Sequence, residues 1–379
     1  MSTAQASRAA LLASVNFGDI DCRNRVVMAP MTRSRADAED CPTALHVEYY
    51  AQRASAGLIV TEGVQPSIDG KGYSRTAGLH ETAQVEAWRR VTAAVHAKGG
   101  RIVAQLMHVG RIASRYNKRA EARTVAPCAV RANVSLYTDA VGMQPCDDPE
   151  PLSIAAIANV IEDYARAAQL AREAGFDGVE LHCTSGYLPM QFLASNTNLR
   201  SDAYGGDTIR RTRFVIEILE ALVAAIGAGR VGFRICPGNP FNDVVDFEPL
   251  DTYGYLLEAV RPLRCAYLHV IRSPLPTIDA FALARAHHGG ALIINDGFEP
   301  DTAAAAVTQG LGDAVSFGRH YVGNPDLVER IAAGAILATF DRKTLYSPGA
   351  RGYTDYATLG SSTTANAATT SASTGGTSQ

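Results

Sequence analysis

Short apolar runs alternate with longer amphipathic stretches along almost the whole chain. The runs are Arg25–Ala29, Leu58–Thr61, Arg101–Leu106, Gly178–His182, Arg230–Ile235, Ala266–Ile271, Ala291–Asn295 and Asp313–Phe317. Each is close to continuously apolar rather than alternating, as expected of parallel strands covered on both faces. Helical periodicity follows them, most plainly over Ser153–Ala174, Thr208–Ile226 and Pro300–Gln309. Eight such strand–helix units in 379 residues predict an α/β protein folded as one closed (β/α)8 TIM barrel. An open doubly wound sheet fits less well. No G-x-G-x-x-G follows the first strand, which runs instead into Pro30-Met31-Thr32.

Two segments break the repeat. Residues 108 to 152, after the third strand, contain Pro127, Pro145, Pro149 and Pro151 and are too long for a simple connection. A loop of that length over a barrel mouth suggests a functional lid. Residues 361–379 are almost entirely Ser, Thr, Ala and Gly and predict a disordered tail, leaving 1–360 for the barrel.

Hydrogen-bonding groups and glycines gather at the C-terminal ends of the strands, where a barrel keeps its chemistry. The first strand ends in Pro30-Met31-Thr32, the second in Glu62-Gly63, and the third delivers Gln105, Met107 and His108. The fourth empties into a tight turn carrying His182, Ser185 and Tyr187. The fifth brings Arg234, the seventh Asn295-Asp296-Gly297 and the eighth Gly318-Arg319. Glycines after the last two strands suit a phosphate, and Arg319 adds a forked charge. Gln105 both donates and accepts, which suits a flat ring with a carbonyl beside an N–H. Arg234, inside a strand, wants an anion. Together these fit a phosphorylated, planar, amide-bearing cofactor such as FMN.

Composition narrows the picture without changing it. A net charge of −3 gives no bulk field for nucleic acid or an anionic membrane. Seven scattered cysteines, none paired at C-x2-C spacing, speak against a zinc site or disulfide framework and for a reducing, cytoplasmic setting. No carboxylate–histidine spacing favours a metal. No apolar run approaches a membrane span. The Ala9–Ala13 run is too short for a signal segment and leads straight into a strand.

Several ordered blocks resemble the Old Yellow Enzyme family of FMN-dependent ene-reductases between about Asn24 and Tyr356. They are Asn24 to Arg33, Tyr49 to Gly57, Gln105 to Arg111, Gly186-Tyr187-Leu188 through Leu193, Arg200-Ser201-Asp202 with Tyr204-Gly205-Gly206, Phe317-Gly318-Arg319 with Asn324 to Leu327, and Gly352 to Tyr356. The resemblance implies bound FMN, with NADPH or NADH as transient reductant. Pro30, Met31, Thr32, Gly63, Gln105 and Arg234 would surround the flavin, and Gly297, Gly318 and Arg319 its phosphate. His182 and Ser185 would bind a carbonyl oxygen. Tyr187 would protonate the α-carbon of an α,β-unsaturated carbonyl compound while hydride reaches the β-carbon from flavin N5. Tyr73, Met107 and Tyr353 would wall the substrate cavity. The resemblance leaves the assembly state open between monomer and homodimer.

Two positions depart from the family pattern. Where members commonly carry His or Asn, this chain has Ser185; where many carry Trp, it has Met107. The shorter hydroxyl reaches through water, is replaced by another group, or marks a different electrophile. Those options leave room for a redox-neutral flavin isomerase, a reductase of nitro compounds or nitrate esters, or a flavin-binding protein with impaired catalysis. Met107 implies a roomier cavity. His108, Cys183, His287-His288 and the Arg200–Gly206 loop read as structural.

Overall fold

The computed structural model describes residues 3–360; the expected disordered tail lies outside the described residues. Eight parallel strands close into a barrel. They are β1 (Val26–Met28), β2 (Leu58–Val64), β3 (Ile102–Leu106), β4 (Gly178–His182), β5 (Val231–Ile235), β6 (Tyr267–Ile271), β7 (Leu292–Asn295) and β8 (Ala314–Phe317). Pairing runs in chain order and β8 returns to β1. The flanking helices are α1 (Ala44–Gln52), α2 (Thr82–Ala97), α3 (Ile154–Glu173), α4 (Thr208–Ile226), α5 (Pro249–Val260), α6 (Ala280–His287), α7 (Pro300–Thr308) and α8 (Leu327–Ala333). The eight expected strands are present within a residue or two, except that β2 runs on to Val64 through a register shift between Val60 and Gly63. That irregularity turns Glu62 away from the mouth. Its carboxylate instead accepts from Tyr50 at 3.2 Å and lies 3.3 Å from His46 on α1.

The barrel interior changes character along its axis. At the N-terminal end, Val27, Leu58, Val60, Val103, Tyr267 and Ile293 form an apolar layer. A small antiparallel hairpin, Val15–Phe17 with Ile20–Cys22, closes that end by inserting Phe17, Ile20 and Cys22 into the layer. Nothing in the helix–strand periodicity foretold it. Higher up, the interior becomes polar, with Gln105, Glu180, His269 and Ser316 all buried. The outer face of the strands packs on the helices in one large apolar core containing Trp88, Tyr164, Phe192 and Phe214.

The long excursion after β3 carries a second hairpin, Ser135–Thr138 with Gly142–Pro145, which stands over the mouth. The chain beyond α8 folds back across the same end. Arg33 and Arg35, just past β1, hold it by donating to backbone carbonyls of residues 344, 345, 349, 351 and 352. No helix among the described residues is long and apolar enough to cross a membrane.

Candidate active site

Two adjoining cavities, about 1240 and 740 Å³, open at the C-terminal ends of the strands. Thr32, Gly63, Tyr73, Gln105, Met107, His182, Ser185 and Tyr187 line the larger. Gly297 and Gly318 line the smaller, and Pro30, Met31, Arg234 and Arg319 face both. Every residue expected from the sequence is therefore at this mouth except Tyr353.

Tyr353 corrects the expectation that it walls the cavity. Its ring is fully buried, stacks on Tyr49 with centroids 4.0 Å apart, and has the guanidiniums of Arg33 and Arg35 over it at 5.1 and 4.5 Å. An aromatic face attracts such cations, so the ring is drawn beneath the C-terminal loop as its anchor. Tyr346, seven residues earlier, lines the cavity.

The turn after β4 gives the site its reactive wall. Ser185 and Gly186 both take left-handed backbone, with φ of 61° and 75°. Two such residues in succession reverse the chain sharply, and Gly186 has no side chain to oppose it. Tyr187 then caps the short helix Leu188–Leu193, so that His182, Ser185 and Tyr187 face one space. Gln191 fixes this turn. Its Nε2 donates to Gly186 O at 2.8 Å and to Val109 O at 3.0 Å, and its Oε1 accepts from Arg111 N.

The Tyr187 hydroxyl lies 3.0 Å from that of Tyr73, with the rings edge to face. Burial, then Tyr73, pushes the Tyr187 phenol well above its ordinary pKa, so it stays protonated. The nearby Asn242 amide opposes that rise, and its Nδ2 donates to Ser185 O at 2.8 Å. His182 stands 5.2 Å from Tyr187, ring to ring, and its Nδ1 has no partner. Burial, then the charge of Arg234, lowers its pKa to about 3. It is a neutral imidazole with one N–H to give.

The strands on either side of β4 present donors. Arg234 donates to Asn295 Oδ1 at 2.7 Å, leaving its buried Nε unpartnered. Gln105 donates Nε2 to Glu180 at 2.8 Å. At Gly297, with φ of 75°, a Cβ would find nothing nearer than Arg272 at 3.8 Å; at Gly318 the nearest atom is Met31 Sδ at 3.6 Å. That leaves backbone open to a ligand. Arg319 is 68% exposed and 3.6 Å from Asp296. An orphaned guanidinium nitrogen, an oriented amide, a hydroxyl and a glycine-lined recess fit an isoalloxazine with its phosphate. Gly63 serves a second purpose: a Cβ there would lie 2.5 Å from Met107 Sδ, so the glycine makes room for the thioether. No group of three His, Cys, Asp or Glu among the described residues could hold a metal ion.

Sequence reading missed Asn242, Tyr346 and Glu180. Glu180 and His182, or Tyr267 and His269, sit two apart inside apolar strands, a parity that marks inward-facing positions. Asn242 and Tyr346 are loop residues with no such signal.

A (β/α)8 barrel with this donor set at its mouth belongs to the flavin-binding class of oxidoreductases. The chain belongs to the NADH:flavin oxidoreductase / NADH oxidase family, the Old Yellow Enzymes, whose model matches residues 10–337. It is 41% identical to a probable flavin mononucleotide-dependent alkene reductase of Leishmania infantum, covering 94% of this chain and 99% of that one. It is 36% identical to a putative 12-oxophytodienoate reductase 4 of Oryza sativa subsp. japonica, over 93% and 94%. Among solved structures it is similar to morphinone reductase, with a TM-score of 0.88 at 38% identity over 92% of this chain and 96% of the other. That enzyme has also been seen with tetrahydroNAD bound.

Proposed function

We propose that this chain is an FMN-dependent ene-reductase that takes electrons from NAD(P)H and saturates the C=C bond of α,β-unsaturated carbonyl compounds. The observation that carries the reading is that Tyr187, Tyr73 and His182 line one cavity together with the Gln105 and Arg234 donors on the strands flanking β4. Relatives named as alkene, 12-oxophytodienoate and morphinone reductases support it. Bound FMN supplies the hydride chemistry.

The residues divide the remaining tasks. Thr32, Gln105 and Arg234 hold the ring system, and Gly297, Gly318 and Arg319 hold the phosphate. Arg234 sets a positive charge beside the ring, where an anion is favoured. His182, neutral and with Nδ1 unpartnered, hydrogen-bonds the substrate's carbonyl oxygen and polarises the conjugated bond. Ser185 stands beside it. Tyr187 gives its phenolic proton to the α-carbon, with the Tyr73 hydroxyl 3.0 Å away to steady the oxygen left behind. The hairpin at 135–145 and the loop at 340–348 keep bulk water from the reacting face.

Anaerobic NADPH should bleach the yellow holoprotein, and 2-cyclohexenone should restore its colour. In Tyr187→Phe the bleaching should be unchanged and the recolouring slowed about 10²–10⁴-fold, the usual worth of a positioned acid. Equal recolouring rates in both proteins would remove Tyr187 from this role.

A further inference from the structure

The proposed reaction leaves one buried charge without a task. Glu180 is the third residue of β4 and fully buried in the barrel. Its Oε1 accepts from Gln105 Nε2 at 2.8 Å, and its Oε2 lies 2.9 Å from His269 Nδ1. His269 Nε2 in turn lies 2.7 Å from Ser316 Oγ. Asn295, which receives Arg234 at 2.7 Å, donates to Ser316 O at 2.9 Å. A continuous polar chain thus runs through the barrel from Gln105 to Arg234, with one carboxylate in it.

Two consequences follow from that carboxylate. An ionised carboxylate only accepts, so Gln105 must turn its NH2 inward and leave its carbonyl oxygen for the cavity. A cavity acceptor at that point selects a ring edge bearing an N–H. Secondly, Glu180 is the main negative charge acting on Arg234, one strand away. Burial pushes the carboxyl's pKa up, but His269, Arg234 and Gln105 together hold it below the ordinary value, so it stays charged. A buried guanidinium without such a counter-ion would be strongly disfavoured, and its field at the mouth would be stronger.

We infer that Glu180 is a positioning residue for the flavin: it fixes the orientation of the Gln105 amide and moderates the charge Arg234 presents, without itself touching the cofactor. The inference rests on the assignment of Gln105 and Arg234 to FMN.

Its test uses the holoprotein and four variants. Glu180→Gln keeps the shape and removes the charge. The flavin's midpoint potential should shift positive, equivalent to reduced FMN gaining about tenfold or more in affinity over oxidised FMN. Glu180→Asp keeps the charge but falls short of Gln105. Its potential should stay near wild type while the FMN Kd rises about tenfold. That rise should vanish in a Gln105→Leu background, because the two residues act as one unit. An unchanged potential in Glu180→Gln, or Kd effects of Glu180→Asp and Gln105→Leu that multiply, would overturn the inference. Should Glu180→Gln not fold, the Asp and Leu cycle decides alone. If Gln105→Leu leaves FMN affinity untouched, the underlying site assignment fails and the inference with it; a protein that binds FMN normally yet reduces no enone contradicts only the proposed reaction.

Discussion

Ser185 concentrates the chemistry that distinguishes this chain. It takes φ of 61°, a region in which asparagine is more at ease than serine. Its carbonyl, rather than its hydroxyl, is the group engaged by Asn242. Ser185→Asn should therefore ease the backbone and add an amide donor beside His182. Turnover of 2-cyclohexenone should rise by about tenfold or more, within the range for gain or loss of one such donor. Stopped-flow recolouring of reduced protein measures it, and no gain would mean the second donor already exists. His108 carries a prediction about stability. It is fully buried, accepts from Gly110 N at 3.1 Å, and burial lowers its pKa to about 3, against ~6.5 for a free imidazole. Between those values the unfolded chain binds more protons. The stabilisation is thus complete above pH ~6.5 and is lost as pH falls toward 3. His182 adds to it with the same sign. His108→Asn, whose amide oxygen can replace Nδ1 as acceptor, should flatten the fall of the urea midpoint between pH 6.5 and 4. An unaltered pH slope would show that other groups govern acid unfolding.

At the scale of elements, the turn after β4 depends on a residue outside the chemistry. Gln191 joins the segment after β3 to the segment after β4 through three hydrogen bonds and is fully buried. Gln191→Leu keeps the bulk but leaves two carbonyls and an N–H unpaired. A loss of about 3 kcal/mol or more in stability is expected, because each of the three abandoned buried groups costs about 1–3 kcal/mol. Enone turnover should fall more than NADPH-driven bleaching, since Tyr187 sits inside the disturbed turn. Unfolding curves and half-reaction rates check the two parts. The same turn shows what the sequence made legible. The strands were readable because parallel burial leaves uninterrupted apolar runs, and Tyr187 and His182 because they follow one of those runs directly. Tyr353 was misplaced because a shared block of sequence says nothing of which way a ring faces; the Arg33 and Arg35 guanidiniums decide that through contacts some 320 residues apart. Asn242 was invisible because its loop has no period, and the N-terminal hairpin because its two short antiparallel strands have no helix between them and so lie outside the strand–helix repeat.

For the whole molecule, the defining trait is a barrel whose floor is apolar and whose mouth is charged, with a roof drawn from two distant parts of the chain. The roof's C-terminal part is held to residues immediately after β1 by Arg33 and Arg35, over the buried Tyr353 ring. All eight strands precede residue 318, yet Tyr346 and its neighbours complete the cavity wall. A chain ended at residue 338 should still form its barrel, judged by far-ultraviolet circular dichroism, but bind FMN at least about tenfold more weakly, judged by flavin fluorescence. Equal affinity in the full and shortened chains would make the roof dispensable. The strap between the two ends also sets an order of events during synthesis. A ribosome reaches the strapped carbonyls after every barrel strand, so a nascent chain can finish its strands well before it can finish its vessel. The coloured cofactor should therefore enter only once the roof has been made, as a late act of maturation rather than a template for folding.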